Sequence, residues 1–528
     1  MKSLSIMASN NKKVLALLVV ITAATLPGLA VANTRNVDGD EGFYALASRL
    51  TVKGHTPYLD FFYPQMPGLP YIYGLWMRIF GFSWASGRLF SILLYALSAL
   101  LLSNYLRLQG HNCQGHNWLS LLFLGGIYSG NGLLLAWTSV IKTFALTLLI
   151  LVATFVALLR WVDSSKNGHG RRFWLAVAGL VFGVGIEVRL MLLPVLAFLI
   201  LWIVCQSWHR GLPIVALDVL VFGGSVVVTL IPLLWLYWQS PWRFVFNNVG
   251  YHLGRHGQVG LIYDFAQKFK ILKQLAFLRQ GWPLLIMSAL GLAVVYWPRR
   301  TANQREDNAP TSLALIFLVS LGVTFWLVTP SFTQYFCLLV PFAVVLINPL
   351  MRWLGRVWPL RWQILMEIVF LGGYLATAPA DMQDEIGRVG SRSPDFRLSV
   401  INYISQFIAE HTEPEAVIIS WWPGYVFTNQ REIYPGMENH FSRGLAEGVS
   451  IREGIPLELA SAWTRVASNE EILSLIAEGK ADAVIVGIWR HRIGEHRPTL
   501  DALLAKQYTL AARVYSTSIY LKLQNVRP

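Results

Sequence analysis

Long apolar segments recur through the first 380 residues of the chain, and they restrict its fold more than any other feature. Eleven of these segments approach the roughly 20 residues that an α-helix needs to cross a bilayer. Charged residues make up only 14% of the sequence, whereas soluble domains carry about 25%. The sequence therefore predicts a polytopic α-helical membrane protein with about eleven transmembrane helices. The predicted helices are Val14–Ala32, Ala85–Leu106, Trp118–Leu135, Ser139–Leu159, Phe173–Ile186, Leu190–Cys205, Pro213–Tyr237, Trp282–Tyr296, Thr311–Val328, Tyr335–Leu350 and Ile364–Thr377.

Charged residues between these segments predict the orientation in the membrane. Lys12 and Lys13 precede the first segment, and basic residues recur in every second loop. By the positive-inside rule these loops and the N-terminus face the cytoplasm, and the C-terminus lies outside. We therefore expect a multi-pass protein of a bacterial inner (plasma) membrane. The basic loop residues are Arg107, Arg160, Lys166, Arg171, Arg172, Arg210, Arg299, Arg300, Arg305, Arg352, Arg356 and Arg361.

The first segment also fits a different interpretation. Its Lys12-Lys13 start, apolar run and Ala30-Val31-Ala32 end are typical of a cleavable signal peptide. Both interpretations place Asn33 on the outer face, so the assignment of the following loop does not depend on the choice.

The net charge of +14 does not indicate a nucleic-acid-binding protein. The basic residues are scattered between apolar segments and form no continuous stripe, and membrane orientation accounts for them. Membrane lipids are therefore the expected surroundings, with no nucleic-acid partner. The three cysteines, Cys113, Cys205 and Cys337, lie in or beside apolar segments, so no disulfide is expected after residue 380.

Composition changes near residue 380 and predicts two domains. Residues 1–380 form the membrane module, with two longer stretches on the outer face. We call these the first loop (residues 33–84) and the second loop (residues 239–280). Residues 381–528 form a separate outer domain.

Within this outer domain, helical and strand-like segments alternate. Leu398–Glu410 has a helical apolar period and is followed by the strand-like Ala416–Ser420. Glu470–Glu478 and Ala481–Ile488 repeat the order, and Tyr508–Leu523 is typical of a closing hairpin. The pattern predicts a small extracytoplasmic α/β domain.

The first loop carries the acidic residues of greatest interest. Asp38, Asp40 and Glu41 precede an apolar period over Phe43, Leu46, Ala47 and Leu50, which predicts a helix from about residue 41. Asp40 would lie at or near the helix N-cap, where an ionised carboxylate is favoured. These acids would meet a lipid-borne substrate at the membrane surface. The alternative is that Asp38 and Asp40 only form a turn and a cap.

Further along the first loop, aromatic residues alternate with prolines from Pro57 to Tyr71. Such a stretch is rigid and prefers the membrane interface. It forms either an aromatic belt or a sugar-binding surface, in which Tyr63 and Gln65, together with Tyr44 of the predicted helix, would form hydrogen bonds.

Three cations stand at the predicted outer ends of helices, namely Arg88, Lys142 and Arg189. A charged residue at membrane depth is costly, which favours a functional explanation over snorkelling to the interface. They are candidates to bind an anionic group, and Tyr335, in a short outer turn, is a candidate to line the same cavity.

The first hundred residues resemble a known family. Asp40–Ala45, Tyr63–Tyr71, Phe80-Gly81 and Arg88 are similar to the first extracytoplasmic loop of GT-C-fold glycosyltransferases. The resemblance is to the branch that contains protein O-mannosyltransferases and the aminoarabinose transferases that modify lipid A. The helical body and the outer C-terminal domain agree with this family in layout only.

The resemblance implies a specific activity. These enzymes transfer a sugar from a polyprenyl-phosphate carrier to an acceptor on the outer face, with inversion at the anomeric carbon. The family's catalytic aspartate corresponds to Asp40, which would act as general base, while Glu41 and Asp38 would shape the site. Aminoarabinose transferases often have Lys-Pro-Pro where this chain has Gln65-Met66-Pro67, so that donor is not implied. The acceptor can be a lipid, a glycan or a protein.

The lipid-phosphate leaving group of such a reaction would require cations on the outer side. Arg88, Lys142 and Arg189 are the candidates for this role. Asp38-Gly39-Asp40 also matches the DxD motif that binds a metal in nucleotide-sugar transferases. A hard divalent cation requires more oxygen ligands than this pair supplies, so no metal cofactor is predicted to be obligatory, and a divalent cation stays an alternative.

Two other functions compete with glycosyl transfer. A transporter or flippase of polyprenyl-linked glycans would have paired halves with broken helices, and no such pairing is visible in the sequence. A non-catalytic envelope scaffold would leave the acids and the outer cations unexplained.

Overall fold

The computed structural model describes residues 2–109, 117–167, 171–256, 261–296, 308–388, 393–439 and 445–523. The predicted loop residues Arg299, Arg300 and Arg305, and the cysteine Cys113, lie outside the described residues. The described chain is mostly helical up to residue 388, and its strands all follow residue 416.

The helices of the first 388 residues are α1 (Lys2–Thr34), α2 (Glu41–Val52), α3 (Gly68–Phe80), α4 (Trp84–Gln109), α5 (Asn117–Ser129), α6 (Gly132–Thr138), α7 (Thr143–Asn167), α8 (Arg171–Val188), α9 (Leu193–Ser207), α10 (Leu212–Thr229), α11 (Ile231–Gln239), α12 (Pro241–Val245), α13 (Tyr251–His256), α14 (Leu261–Ala276), α15 (Gly281–Tyr296), α16 (Ala309–Leu327), α17 (Val340–Val357) and α18 (Leu360–Arg388). A π-helical turn, Phe246–Gly250, separates α12 from α13, and a 3₁₀ segment, Thr333–Leu339, leads into α17.

The protein is an integral, multi-pass membrane protein. Eight helical segments of the described chain are long and apolar enough to cross a bilayer. Two bent pairs, α5 with α6 and α14 with α15, raise the number to ten if each pair is one span. The predicted count of eleven is not confirmed. The predicted fifth helix, Phe173–Ile186, is part of α8, whose 18 residues include the three charged side chains of Arg171, Arg172 and Glu187.

The two bent pairs meet at their breaks. The bends are 54° between α5 and α6 and 82° between α14 and α15. Gln280 donates from Nε2 to the carbonyl oxygen of Gly130 (2.9 Å) and accepts from the amide of Gly132 (2.7 Å). Asp381 of α18 accepts from the amide of Gln280 (2.8 Å). Backbone groups freed by the breaks are thus satisfied inside the protein, as a membrane requires.

The remaining elements form the C-terminal region, which we define as residues 393–523. Its helices are α19 (Leu398–His411), α20 (Gly424–Phe427), α21 (Leu445–Glu453), α22 (Leu457–Thr464), α23 (Asn469–Ala477) and α24 (Arg497–Gln507). Its strands are β1 (Val417–Ser420), β2 (Glu432–Ile433), β3 (Ala483–Val486), β4 (Tyr508–Val514) and β5 (Thr517–Lys522).

One five-stranded sheet with the order β2-β1-β3-β5-β4 organises this region. Strands β2, β1 and β3 are parallel, while β5 runs antiparallel to β3 and to β4. The predicted α/β organisation is confirmed, with the two helix–strand units and the closing hairpin where the sequence indicated. The predicted domain boundary at residue 380 falls inside α18, which continues to Arg388.

The C-terminal region packs directly on the first loop. Trp422 donates from Nε1 to the carbonyl oxygen of Gly39 (2.8 Å), and its ring is parallel to that of Trp84, with centroids 6.1 Å apart. Arg49 of α2 donates to the carbonyl oxygens of Val426 (2.6 Å) and Phe427 (3.1 Å). These contacts hold both ends of α2 against the C-terminal region.

Candidate active site

The acidic residues of the first loop lie in the turn between α1 and α2. Helix α2 begins at Glu41, as predicted, and Asp40 is its N-cap residue. The Asp40 carboxylate makes no capping hydrogen bond, so the alternative of a simple cap does not describe it. Asp38 does form the turn, because its Oδ1 accepts from the amide of Asp40 (3.0 Å).

Lys142, in the segment between α6 and α7, contacts both aspartates. Its Nζ lies 2.7 Å from Asp38 Oδ1 and 3.0 Å from Asp40 Oδ2. We call Asp38, Asp40 and Lys142 the acidic cluster. The side chains of Asp38 and Lys142 are 1% and 3% exposed, whereas that of Asp40 is 32% exposed. Asp40 is therefore the carboxylate of this cluster that a substrate can reach.

The charge state of Asp38 follows from its partners. Burial alone would raise the pKa of Asp38, but the charges of Lys142 and Arg35 and the hydrogen bonds from Lys142 and the Asp40 amide outweigh it, so the pKa is lowered. Asp38 thus stays ionised and fixes Lys142 beside Asp40.

Glu41 and Arg88 form a separate pair that is fully satisfied. Arg88 donates from Nε to Glu41 Oε1 (3.0 Å) and from one terminal nitrogen to Oε2 (2.7 Å). Glu41 also accepts from the amides of Asp38 (2.9 Å) and Ile141 (3.0 Å). Both side chains are at most 1% exposed. Glu41 therefore acts through the shape of the loop rather than through contact with a substrate.

The remaining donors of Arg88 bind the main chain at the end of α1. The carbonyl oxygens of Ala32 (2.7 Å), Arg35 (3.0 Å) and Asn36 (3.4 Å) accept from it. With the Glu41 contacts, all five guanidinium N–H groups have acceptors. A phosphate could bind Arg88 only by displacing bonds that order the loop, and its assignment to phosphate binding stays a prediction.

The environment of Arg189 differs from that of Arg88, because its guanidinium contacts aromatic rings and not a carboxylate. Its guanidinium carbon lies 4.8 Å from the ring centroid of Phe144 and 4.7 Å from that of Tyr335. Its terminal nitrogen donates to Thr143 Oγ1 (3.1 Å). Although Arg189 is only 6% exposed, the described residues provide it with no carboxylate partner. A buried cation without a counter-charge is a natural ligand for an anion.

Tyr44 connects the acidic cluster with Arg189. Burial raises the pKa of its hydroxyl, and the charges of Asp40 and Arg189 and the hydroxyl of Tyr335 act on it as well. The interaction places Tyr44 near both halves of the site. The structure therefore brings the predicted Asp38, Asp40, Tyr44, Lys142, Arg189 and Tyr335 into one neighbourhood.

Tyr63 and Gln65 support this neighbourhood from the aromatic stretch. The Tyr63 ring is buried with its centroid 6.3 Å from that of Tyr44, and its hydroxyl has no hydrogen-bond partner among the described residues. Gln65 acts through its main chain, since its carbonyl accepts from the Tyr58 hydroxyl (2.7 Å). Its half-buried side chain makes no described contact with the acidic cluster.

The second loop covers the same stretch. Asn247 Oδ1 accepts from the amide of Tyr63 (3.0 Å), and His252 Nε2 lies 3.0 Å from the carbonyl oxygen of Pro64. The π-helical turn that carries Asn247 is a local irregularity of a kind often found at functional sites.

Arg35 belongs to the site but is absent from the predicted residues. It is 5% exposed, and one terminal nitrogen lies 3.8 Å from Asp38 Oδ2. Its guanidinium lies 4.9 Å from the ring centroid of Trp137, and Lys142 Nζ lies 5.0 Å from the same ring. None of its three guanidinium nitrogens has a hydrogen-bond acceptor among the described residues. The sequence feature that could have identified Arg35 as a site residue is its position three residues before Asp38.

An aromatic motif of the C-terminal region, residues 421–425, packs against the first loop. Trp421, Trp422 and Tyr425 are each at most 2% exposed. A Cβ at Gly42 would come within 2.7 Å of the Trp422 ring, so glycine is needed where α2 meets this motif. The motif supports the loop that carries the acidic cluster.

No group of three or more His, Cys, Asp or Glu side chains is placed to hold a metal ion in the described part of the chain. The expectation of a site without an obligatory metal stays a prediction.

Comparison with known proteins defines the fold. No family model and no curated protein matches the chain. The structure of ArnT from Cupriavidus metallidurans bound to undecaprenyl phosphate matches with a TM-score of 0.63 at 13% identity, over 98% of this chain and 99% of that one. ArnT in the apo state matches with a TM-score of 0.61 at 15% identity, over 97% and 98% of the two chains.

A more distant match is the oligosaccharyltransferase of Archaeoglobus fulgidus, solved with Zn and sulfate. It has a TM-score of 0.48 at 13% identity and covers 90% of this chain and 67% of that one. The near-complete match with ArnT shows that this chain has the GT-C fold of membrane glycosyltransferases.

Proposed function

We propose that the protein is an inverting glycosyltransferase that moves a sugar from a polyprenyl-phosphate donor to an acceptor on the extracytoplasmic face of the membrane. One observation carries the proposal: Asp40, half-buried at the start of α2, lies 3.0 Å from Lys142 in a chain with the GT-C fold. ArnT, which shares the fold, was solved with undecaprenyl phosphate, and this supports a donor of that class.

Asp40 acts as the general base in the proposed reaction. The acceptor hydroxyl oxygen attacks the anomeric carbon as Asp40 takes its proton. The bond from the anomeric carbon to the phosphate oxygen breaks, and polyprenyl phosphate leaves with the bonding electrons. Because attack occurs opposite the leaving group, the configuration inverts.

Lys142, Arg189 and Arg35 receive the leaving phosphate. Each is buried, and the described residues leave Arg189 without a counter-charge and Arg35 without a hydrogen-bond acceptor. Lys142 contacts both aspartates in the structure, and a phosphate would compete for it. Movement of Lys142 toward the phosphate would free Asp40 to accept a proton, which couples donor binding to activation of the base.

Tyr335 contacts the Arg189 guanidinium through its ring, and Tyr44 interacts electrostatically with both Asp40 and Arg189, so we assign both tyrosines to the donor sugar or its phosphate. Tyr63, whose buried hydroxyl has no partner among the described residues, is a further contact to the sugar. Glu41 and Arg88 are positioning residues, since their contacts order residues 32–41.

Mass spectrometry of membrane lipids tests the proposal. A deletion strain would carry the wild-type protein, Asp40→Asn, or the exposed control Asp501→Asn, at equal expression. We expect a polyprenyl-phosphate sugar to accumulate only with Asp40→Asn, and its mass would identify the sugar class. Identical lipid profiles in all three strains, with Asp40→Asn still complementing the deletion, would contradict the proposal.

The broken helix pairs favour one second candidate, a transporter of polyprenyl-linked glycans. Discontinuous helices are typical of transporter binding sites, and the breaks at Gly130 and Gln280 contact each other. The same lipid analysis separates the two functions, because a transporter does not need Asp40 as a base. Transport in reconstituted vesicles that persists with Asp40→Asn would favour this second candidate.

A further inference from the structure

Helix α14 runs across the membrane-spanning helices rather than along them. Helix α15, which follows it, packs beside α17: Ser288 donates from Oγ to the carbonyl oxygen of Ala343 (3.0 Å), and a Cβ at Gly291 would collide with the carbonyl oxygen of Leu346. Helix α17 belongs to the apolar segment Thr333–Val357, which is long enough to cross a bilayer. Since α14 and α15 meet at 82°, α14 lies close to the plane of the membrane.

The aromatic contacts of α14 place it at the membrane surface. The rings of Phe265 and Phe269 have centroids 6.3 Å and 5.8 Å from that of Trp326. Trp326 is in the last turn of α16, which ends at Leu327. Aromatic side chains at the end of a spanning helix are typical of the boundary between acyl chains and headgroups. Helix α14 is therefore at the depth of that boundary.

One side of α14 is anchored to the protein. Lys268 Nζ lies 2.7 Å from Oδ2 of Asp264, the one acidic residue of the helix, and Thr329 donates from Oγ1 to the same oxygen (2.9 Å). Lys268 and Ile271 are at most 9% exposed. Thr329 closely precedes the 3₁₀ segment that carries Tyr335, so α14 lies at the end of the bundle that carries the candidate active site.

The rest of α14 presents an apolar face and a basic face side by side. Phe265, Phe269 and Leu272 are 57%, 53% and 41% exposed, and a helix of 3.6 residues per turn places them within about 60° of one another. The exposed Lys270 and Lys273 occupy the neighbouring sector, away from the anchored side. No carboxylate of the described residues forms an ion pair with either lysine. A helix with Phe and Leu on one face and Lys on the next is typical of the membrane interface.

We propose that α14 binds the headgroups of anionic phospholipids in the bilayer leaflet at the end of the bundle that carries the candidate active site. The apolar face inserts beside the acyl chains, and Lys270 and Lys273 lie at the height of the lipid phosphates. Their two uncompensated positive charges complement a headgroup with a net negative charge, whereas a zwitterionic headgroup offers none. This binding does not depend on the proposed transferase function.

Photo-crosslinking of the full-length protein in lipid nanodiscs tests the proposal. Phe269 is replaced by p-benzoylphenylalanine, whose ketone reacts with neighbouring C–H bonds. The nanodiscs contain phosphatidylglycerol and phosphatidylcholine in equal amounts with identical acyl chains, and mass spectrometry counts the adducts of each lipid. The test variant is Lys270→Gln with Lys273→Gln, and the matched control is Lys506→Gln with Arg513→Gln in the C-terminal region. All four altered residues are exposed, so folding is expected to be unaffected.

We expect phosphatidylglycerol adducts to outnumber phosphatidylcholine adducts at least about fivefold, because each lysine near an anionic headgroup contributes a preference of about that size. Added salt should lower this ratio. The test variant should form the two adducts equally, whereas the control should keep the wild-type ratio. Equal adducts with both lysines in place, or an undiminished ratio in the test variant, would overturn the proposal.

Other occupants of this face would give different products. Adducts to a second copy of the chain in place of lipid would overturn the proposal in favour of a dimer contact. With polyprenyl phosphate added as a minor lipid, a Lys270-dependent preference for it over phosphatidylglycerol would overturn the proposal in favour of a docking site for the donor carrier. Absence of any lipid adduct would show that this face does not meet the bilayer. None of these measurements requires glycosyl transfer, so failure of the proposed function would leave the lipid site intact.

Discussion

Asp40 and Glu41 are consecutive in the chain, yet their carboxylates lie in opposite environments. Glu41 is fully buried and accepts four hydrogen bonds, two of them from Arg88. Asp40 is about one-third exposed, and among the described residues Lys142 is the cation that contacts it. Helix α2 begins between the two, which turns one side chain into the protein and leaves the other at its surface.

The contrast distinguishes the residues that order the first loop from the residue that takes part in the proposed reaction. The Glu41–Arg88 pair binds the amide of Asp38 and the carbonyl oxygens at the end of α1, so it fixes the main chain that carries Asp40. A carboxylate with every acceptor position used is a poor base. The chemistry therefore belongs to the neighbour that the saturated pair holds in place.

Glu41→Gln should give the largest change in stability. It removes the charge from a buried pair and leaves Arg88 uncompensated, which costs about 3–5 kcal/mol. We expect a marked fall in the unfolding temperature in detergent and low yield of folded protein. Asp40→Asn should leave the unfolding temperature near that of the wild type.

Two results would contradict this contrast between Asp40 and Glu41. Equal destabilisation by Asp40→Asn and Glu41→Gln would mean that both carboxylates are structural. Full stability of Glu41→Gln, with activity lost, would instead place Glu41 in contact with the substrate.

The next largest effect is expected for Arg189→Gln. This variant tests whether Arg189 contacts the substrate, as we propose for Asp40, or is structural, as Glu41 is. If it binds the donor phosphate, loss of a charge-assisted hydrogen bond should weaken donor binding by about 1.5–3 kcal/mol, or roughly ten- to a hundredfold. The measurement is the KM for the polyprenyl-phosphate sugar, together with tryptophan-fluorescence titration of polyprenyl phosphate. Arg497, whose side chain is 40% exposed, provides the control Arg497→Gln. Unchanged affinity with a large loss of stability would make Arg189 a structural residue like Arg88.

Local patterns in the sequence predicted much of this architecture. The α/β order after residue 398 could be predicted because alternation and helical period are local properties, and the start of α2 at Glu41 follows from the same logic. The breaks in α5–α6 and α14–α15 could not, because the apolar run continues through Gly130 and the bend depends on Gln280, about 150 residues away. These breaks are one reason why the predicted number of eleven transmembrane helices is not confirmed.

The residues of the candidate site were likewise predicted only in part. The sequence places Asp40 at a helix start, and Lys142 at a predicted outer end meets it in the structure. The sequence does not show that Arg88 forms an ion pair with Glu41, 47 residues earlier, because such pairing depends on tertiary contact. Arg35 was missed because one arginine after an apolar segment normally reads as an interface residue.

Trp422→Phe should have a smaller effect and tests the support of the acidic cluster from the C-terminal region. Phenylalanine keeps most of the stacking on Trp84 but loses the hydrogen bond to the carbonyl of Gly39, worth about 1 kcal/mol. We expect a slightly lower unfolding temperature and a reduced kcat, since Gly39 lies between Asp38 and Asp40. The 83% exposed Trp238 provides the control Trp238→Phe. Unaltered kcat would show that the loop is ordered by the Glu41–Arg88 pair alone.

The smallest effect should appear in the pH dependence of stability, through Asp38. Its pKa is lowered in the folded protein because Lys142 and Arg35 outweigh the cost of burial. A lowered carboxyl pKa contributes stability that is fully present above the unfolded value of about 3.9 and is lost as the pH falls through the folded value. The difference in unfolding temperature between the wild type and Asp38→Asn should therefore be constant from neutral pH down to about pH 5 and shrink below about pH 4. A difference that stays constant into that acidic range would show that Asp38 is not the ionised partner that fixes Lys142, and Asp40 would then be the main counter-charge of this lysine.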